Sequence, residues 1–360
     1  MDTTDPNIIF DSNGVCNHCH EYKVAMERSA FHGTEAGEQL SRLVAKIKED
    51  GRKRSYDCVI GLSGGVDSSY VAYKVKELGL RPLAVHLDNG WDSEMAVSNI
   101  ENICTKLEID LKTVVLDWGE FSDLQLAFLR ASTPDSEIPS DHAIVASNFL
   151  TARELGVGHV IFGYNGKTES HLPRAWSQGY FDWRYITAVH REFGTRPLKT
   201  FPGMNMLNYY VLRKKVAQHN ILQYLNYSKK DAMVVLEQKL GWRNYGGKHH
   251  ESIYTRFYQG YILPVKFGFD KRKAHLSSLV CSGETSREAA LEELKKDPYP
   301  RAAMAADKKY VAKKLGISDG DFDSIMSLPL RSFDDYPSYA KIYKNPVYRF
   351  LRNCVGKILP

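Results

Sequence analysis

The sequence predicts an α/β protein, a doubly wound parallel sheet followed by a mainly helical C-terminal module. Three observations carry this. From Tyr56 onward, short and nearly continuous apolar runs alternate with segments of helical periodicity, the pattern of parallel strands buried on both faces. The first apolar run stops at paired glycines and opens into a helix within VIGLSGGVDSSYVAYKV (59–75). Beyond Tyr227 the strand signal fades while helical periodicity persists. The organisation read from this is an N-terminal segment with a C-x-x-C pair (1–50), an α/β domain (51–227) and a helical module (228–360).

In chain order, YDCVIG (56–61) reads as the first strand, and residues 66–78 as a helix closed by Gly79. PLAVHLD (82–88) is the second strand, SEMAVSNIENICTKL (93–107) a helix and LKTVVLD (111–117) the third strand. Two helical stretches follow, the second at 141–156 with Gly156 as its stop. HVIFGY (159–164) reads as the fourth strand and ILQYLNY (221–227) as a fifth. Residues 165–220 are aromatic-rich and poorly periodic, which predicts an elaborated insertion or interface. Helices are expected over 228–242, with Ser228 as N-cap, and over 287–296 and 307–316.

Of the 360 residues, 43% are hydrophobic and 25% charged, and no apolar run approaches the roughly 20 residues of a membrane span. The start, MDTTDPNIIF, has neither the basic nor the apolar region of a secretory signal. A reducing, cytoplasmic setting without a disulfide framework is therefore expected, with Cys58 and Cys104 as buried free thiols. A net charge of +5 suits a protein that handles phosphates and is too small to argue for nucleic acid.

Chemistry concentrates first in SGGVDSS. Gly64 and Gly65 permit positive φ and close backbone approach, so successive amides can curl around an anion at the positive end of a helix. Ser63, Ser68 and Ser69 add hydroxyls. Neither the Walker A spacing with its lysine nor the G-x-G-x-x-G fingerprint is present. Asp67 beside a phosphate calls for a cation between them, naturally Mg²⁺ carried by a nucleotide.

SGGVDSS resembles the pyrophosphate loop of the PP-loop ATP pyrophosphatases (adenine nucleotide α-hydrolase-like), which cleave ATP to AMP and pyrophosphate. The resemblance implies that Ser63, Gly64, Gly65, Asp67, Ser68 and Ser69 hold the pyrophosphate part. It puts the adenosine near Asp88, at the end of the second strand. It puts a further phosphate or substrate contact in FGYNGKTE (162–169), with Gly163, Asn165 and Glu169. Residues 225–294 and FDSNGVCNHC (10–19) are similar to the N-acetyl sugar amidotransferases of bacterial surface-polysaccharide (lipopolysaccharide O-antigen) biosynthesis. Those enzymes convert the acetamido group of a nucleotide-activated sugar into an acetamidino group. The resemblance implies ATP and Mg²⁺ as cofactors and an O-adenylated imidate as intermediate. It also implies ammonia from a separate glutaminase pair similar to the imidazole glycerol phosphate synthase subunits, since no glutaminase is visible in the chain.

Lys248, in GGKHHES with glycines that let it approach closely, is a candidate cation for the α-phosphate, with a solvated surface lysine as the alternative among 48 Lys and Arg. His249, His250 and Glu251 lack the H-x-x-x-H geometry of a helix-borne metal site, and His249 is read as a substrate contact. Arg272 and Arg287 suit sugar-pyrophosphate oxygens or, equally, helix-surface ion pairs. Cys16 and Cys19 form half of a zinc site that needs two more ligands, with His18, His20, His32 and Cys281 as candidates. Members of the resembled family carry a further C-x-x-C upstream, so either truncation or loss of the site is expected here. The competing readings are a tRNA-thiolating PP-loop enzyme, which needs a catalytic cysteine pair and a basic surface, and a non-catalytic nucleotide-binding subunit.

Overall fold

The computed structural model describes residues 1–29, 33–169, 171–247 and 250–344. Its centre is a five-stranded parallel sheet of β1 (Cys58–Gly61), β2 (Pro82–Asp88), β3 (Asp110–Val115), β4 (His159–Ile161) and β5 (Ala217–His219), in the order β3-β2-β1-β4-β5. Val59 pairs with Leu83 on one side and Val160 on the other, and His159 pairs with Ala217. The chain runs outward from β1 through β2 to β3, then returns to the far side of β1 for β4 and β5. The strand order therefore reverses between β1 and β4, the switch point where open α/β sheets bind ligands beyond their carboxyl ends.

Side-chain alternation along the strands sorts the two cores. Ile60, Ala84 and Ile161 face helices Val66–Glu77, Glu94–Leu107 and Lys229–Leu240, packing with Val71, Val75, Ile103, Leu236 and Leu240. Val59, Val85 and Val160 face helix Ile138–Glu154 through Ala146, Phe149 and Ala152. Burial on both faces is why β1 and β2 read as unbroken apolar runs. The edge strand β3 is mostly exposed or half-buried. Helix ends follow the local chemistry: the Ser93 hydroxyl accepts from the Ala96 amide at 3.2 Å, Ser228 from Asp231 at 3.4 Å, and Gly156 turns the chain at φ +65°.

The structure corrects the expected fifth strand. The pairing partner of β4 is the polar Ala217–His219, while Ile221–Tyr224 forms a single 3₁₀ turn. Ile221 and Leu222 are apolar because they plug the core. Strand pairing itself needs only backbone groups, so an edge strand need not be apolar. The fourth strand stops at Ile161, short of the expected Tyr164, because the chain leaves the sheet at residues 162–163 to cross the glycine loop. The segment 165–220 contains helices Gly166–Glu169, Trp183–Phe193 and Met206–Arg213 as well as β5.

Beyond Trp242 the described chain is helical: Ile253–Phe257 runs into the π-helical Tyr258–Phe267, followed by Arg272–Ser282, Arg287–Leu294, Arg301–Lys314 and Asp319–Ser327. Tyr254, Phe257, Tyr258, Val311 and Phe322 pack with Leu87, Trp91, Leu116 and Phe121, so this part covers the carboxyl ends of β2 and β3. Helix Lys229–Leu240, by contrast, packs within the sheet's own core. Among the described residues, no helix is long and apolar enough to cross a membrane.

Candidate active site

The loop after β1 is a preformed cradle. Gly64 takes φ +77°, and a Cβ there would lie 2.6 Å from the Ala96 carbonyl oxygen, so only glycine fits. The Ser63 amide donates to Ser68 Oγ at 3.2 Å, the two hydroxyls lie 3.2 Å apart, and Ser68 Oγ also reaches the Gly65 carbonyl. Gly65 caps helix Val66–Glu77 with extended backbone and no side-chain cap, at the positive end of the helix. Ser69 differs from the other two serines: it is fully buried, and its hydroxyl has no partner among the described residues.

The cradle is braced from outside the loop. Trp242 Nε1 donates to the Gly64 carbonyl at 2.8 Å. The buried Asn99 clamps the next residue, accepting from the Arg243 amide at 2.8 Å and donating to its carbonyl at 2.9 Å. From β4, Gly163 crosses the start of the helix so closely that a Cβ would stand 2.8 Å from the Ser68 nitrogen. The switch point thus brings the loops after β1 and β4 into backbone contact.

Asp67 lies in the first turn of the helix, and the Tyr227 hydroxyl donates to its carboxylate. Burial and the nearby Asp67 and Glu169 charges hold the Tyr227 hydroxyl far above the ordinary tyrosine range, so it stays protonated and donating. Tyr245 is also raised, by burial and then by Glu251, and its hydroxyl is hydrogen-bonded to the Val66 amide and Glu251. Glu251 belongs to a short antiparallel contact that ties the chain after β2 to the helical module: Ser93 donates to the Glu251 carbonyl at 2.8 Å, and Ile253 to that of Trp91 at 2.8 Å. Asp88 ends β2, and its carboxylate accepts from the Gly90 amide at 2.8 Å. Behind it, the buried His86 binds the Leu62 carbonyl at 3.1 Å and Asp92 at 3.2 Å. Asn165 is buried, with its carbonyl accepting from the Glu169 amide at 3.0 Å.

A second charged group lies at the carboxyl end of β3, joined to the chain after β2 by the Asn89–Ser140 hydrogen bond of 3.2 Å. Asp135 and Glu137 are buried; Glu137 accepts from Gln259 at 2.8 Å and pairs with Lys271 at 3.3 Å. Ser136 is fixed by Tyr258 at 3.1 Å and Tyr254 at 2.6 Å. Burial, then Asp135 and Glu137, push the Asp141 carboxyl up to about 8 against the opposing Lys271. Asp141 is nonetheless exposed to solvent, and water screens much of that push. Lys271 stays charged: burial disfavours it, but Glu137 and Asp135 outweigh burial and raise it. The run PDSEIPSD (134–141) carries three carboxylates and signalled this group, but only folding brings Lys271 to it.

Of the remaining expected site residues, Lys248 and His249 lie outside the described residues, as does His32. Arg272 is engaged within the helical module, donating to Asp270 at 2.7–3.2 Å and to the carbonyls of Glu293 and Lys296 at 3.3 and 3.0 Å. Of its two readings, ion pairing is the one this arrangement displays. Arg287 is exposed at the first position of helix Arg287–Leu294. Cys16 and Cys19 have their sulfurs 3.5 Å apart, and Cys19 lies 3.9 Å from Cys281. The candidate ligands His18 and His20 face carboxylates instead, Asp5 at 2.6 Å and Asp11 at 2.9 Å.

Residues 251–350 match the family described as LPS biosynthesis protein WbpG-like, C-terminal domain, and residues 56–118 match the tRNA methyl transferase HUP domain. The fold is a PP-loop-type α/β sheet with a helical C-terminal region. A tRNA-specific 2-thiouridylase of Mesomycoplasma hyopneumoniae is 30% identical over 201 residues, 48% of this chain and 52% of that protein. The chain thus spans about half the length of that relative. An uncharacterized protein of Methanocaldococcus jannaschii is 22% identical over 272 residues, 73% of this chain and 80% of that one. Among solved structures, the NH3-dependent NAD synthetase of Campylobacter jejuni aligns with 16% identity and a TM-score of 0.31, covering 57% of this chain and 85% of that chain.

Proposed function

We propose that the chain is an ATP-dependent amidotransferase that converts the acetamido group of a nucleotide-activated sugar into an acetamidino group. The observation that carries the ATP-using part is the cradle of residues 63–68, with Gly163 closed over it at the switch point. The sugar part is supported by the WbpG-like match over residues 251–350, the region that covers the carboxyl ends of the strands.

An amide is a poor electrophile whose oxygen cannot leave unaided. Attack of the amide oxygen on the α-phosphorus forms a C–O–P linkage, expels pyrophosphate and, with loss of the amide proton, gives an O-adenylated imidate. Ammonia adds to the imidate carbon, the C–O bond breaks, and AMP departs with that oxygen, leaving the amidine. The chain's part is to bind, orient and exclude water. Ser63, Ser68 and the loop amides hold the leaving pyrophosphate, with Gly64 and Gly65 letting the backbone approach. Asp88 lies toward the adenosine, and Gly163, Asn165 and Glu169 close the cleft from β4.

Asp67 and Glu169 are hard oxygen donors beside a polyanion's seat, a donor set that fits Mg²⁺. Bound with ATP, Mg²⁺ neutralises charge on the departing pyrophosphate. Tyr227 orients Asp67 for this role. The group of Asp135, Glu137, Asp141 and Lys271 carries hydrogen-bonding groups suited to sugar hydroxyl and amide groups, with Asp141 the exposed member. Lys248 and His249 complete the α-phosphate and sugar contacts in this reading, with Arg287 toward the sugar pyrophosphate. Ammonia comes from a separate glutaminase, so ammonium supports turnover by the single chain and glutamine does not.

A second reading, tRNA thiolation, is favoured by the thiouridylase similarity and the HUP match. The experiment that separates the two is AMP release by the purified chain with ATP, Mg²⁺ and ammonium, offered either N-acetylated nucleotide sugars or unmodified tRNA. AMP formation that depends on the sugar is expected. AMP formation that depends on tRNA, or is indifferent to the sugar, contradicts the proposal.

A further inference from the structure

Three segments far apart in sequence bring sulfur and imidazole to one point. FDSNGVCNHC folds as a tight hairpin: Asp11 accepts from the amides of Asn13 and Val15 at 2.9 Å each, Gly14 takes φ +75°, and Phe10 bridges Cys16. Helix Asn17–Ser29 starts directly after Cys16, so Cys19 falls in its first turn and returns to the same side. The sulfurs of Cys19 and Cys281, the latter from helix Arg272–Ser282, and a ring nitrogen of His171 all lie within 4.8 Å of one another. Cys16 stands 3.5 Å from Cys19, and His171 Nε2 lies 3.9 Å from Cys281.

These spacings discriminate between chemistries. A disulfide needs sulfurs at about 2.05 Å, well inside the separations present here. A [4Fe–4S] cluster puts each thiolate on a different iron and spreads them farther apart than the sulfurs here. A tetrahedral Zn²⁺ with Zn–S bonds of about 2.3 Å places neighbouring sulfurs about 3.8 Å apart. The observed 3.5 and 3.9 Å match that edge.

The imidazole is oriented for the same purpose. Ser278 is fully buried, and its hydroxyl proton goes to the Ala274 carbonyl at 3.2 Å. Its oxygen is therefore the acceptor for the His171 amide at 3.2 Å and for Nδ1 at 2.9 Å. With the ring proton on Nδ1, Nε2 is placed to coordinate, 3.9 Å from Cys281 Sγ; the ring also meets the His18 backbone carbonyl. A metal-ligating histidine usually has this arrangement, with its other nitrogen fixed by an outer partner. Tyr22 stacks on the ring at 5.4 Å and holds its plane.

We propose that Cys19, His171 and Cys281, which already cluster, bind one structural Zn²⁺ with Cys16, 3.5 Å from Cys19 but outside that cluster, turning in as the fourth ligand; the metal ties the N-terminal hairpin and helix Arg272–Ser282 to the segment leaving β4. That segment carries Gly163, Asn165 and Glu169, so the metal sets the position of one wall of the cleft. Four protein ligands close the site, making it structural rather than catalytic. The proposal is independent of the substrate assigned above.

The test is metal analysis of the full chain purified without chelators, with cobalt-supplemented growth as its spectroscopic partner. A zinc-to-chain ratio near one is expected. Loss of an outer-shell partner alone costs about 10–100-fold in metal affinity, so Cys281→Ser and His171→Ala should lower the ratio at least about tenfold, while Cys104→Ala leaves it unchanged. Should those variants fail to fold, the cobalt-grown wild type decides. Intense visible bands of tetrahedral Co²⁺ with a thiolate-to-metal band in the near ultraviolet support the site. A wild-type chain without zinc, zinc retained in both ligand variants, a cobalt protein without those bands, or an iron–sulfur chromophore each overturns it.

Discussion

The Tyr227 hydroxyl donates to the Asp67 carboxylate, joining the chain beyond β5 to the helix that opens on the phosphate cradle. A tyrosine kept protonated by burial beside a carboxylate aims that carboxylate without competing for its charge. Asp67→Ala should abolish AMP formation while leaving the circular dichroism spectrum intact. Tyr227→Phe keeps the carboxylate but frees its orientation, and should lower kcat about tenfold and raise the Mg²⁺ concentration needed for half-maximal rate. Unchanged turnover in Asp67→Ala would remove it from the mechanism.

Gly163 predicts a different phenotype. The Cβ of Gly163→Ala would meet the Ser68 nitrogen at 2.8 Å, so either the loop after β4 or the cradle must shift. Overpacking of this kind costs about 1–3 kcal/mol in stability, read from denaturant midpoints. The KM for ATP should rise with little change in circular dichroism. An ATP KM equal to that of the wild type would show that the contact does not shape the cradle.

Trp242 supports the cradle from a distance in sequence that no motif could reveal. Trp242→Phe preserves the packing but leaves the Gly64 carbonyl without its indole donor, at a cost of about 1–3 kcal/mol. Loss of ATP affinity should accompany the lower stability, and isothermal calorimetry with ATP analogues reads it directly.

What the sequence disclosed and what it hid follow a physical division. The cradle was legible because its constraints are local: Gly64 must take φ +77°, and residues 63–69 fit one turn from strand to helix. Strands β1 and β2 were legible because both faces are buried. The braces were not legible, because Trp242, Asn99, Tyr227 and Glu251 reach the cradle only through tertiary packing. His171 escaped notice for the same reason, since it meets Cys19 and Cys281 only after folding. The apolar run 221–227 misled in the other direction, since core-filling side chains do not require strand pairing.

His86 sets a pH dependence. Burial disfavours its charge, but the hydrogen bond and charge of Asp92 outweigh that and raise its pKa above the ordinary 6.5. A raised imidazole stabilises the fold fully below its unfolded pKa, and that stability is lost as pH rises through the folded value. The thermal midpoint should therefore fall from about pH 6.5 upward, and Asp92→Asn should flatten this slope. An unaltered slope in Asp92→Asn would assign the dependence elsewhere.

Asp141 gives the opposite expectation at neutral pH. Its carboxyl is pushed up by desolvation and then by Asp135 and Glu137, so ionising it costs stability once pH passes its ordinary 3.8; because Asp141 is exposed, water screens that cost and it is small. Asp141→Asn should raise the thermal midpoint at neutral pH and lower the affinity for the sugar substrate. A midpoint that falls would contradict the repulsion assigned to these acids.

If the sugar's own amide oxygen attacks ATP, that oxygen must end in AMP, and isotope transfer reads it directly. A nucleotide sugar carrying heavy oxygen in its acetamido carbonyl is incubated with the chain, ATP, Mg²⁺ and ammonium, and the products are analysed by mass spectrometry. The account predicts the label in the phosphate of AMP, with an unlabelled acetamidino product. Unlabelled AMP, with the heavy oxygen kept in the sugar or released to water, would contradict it.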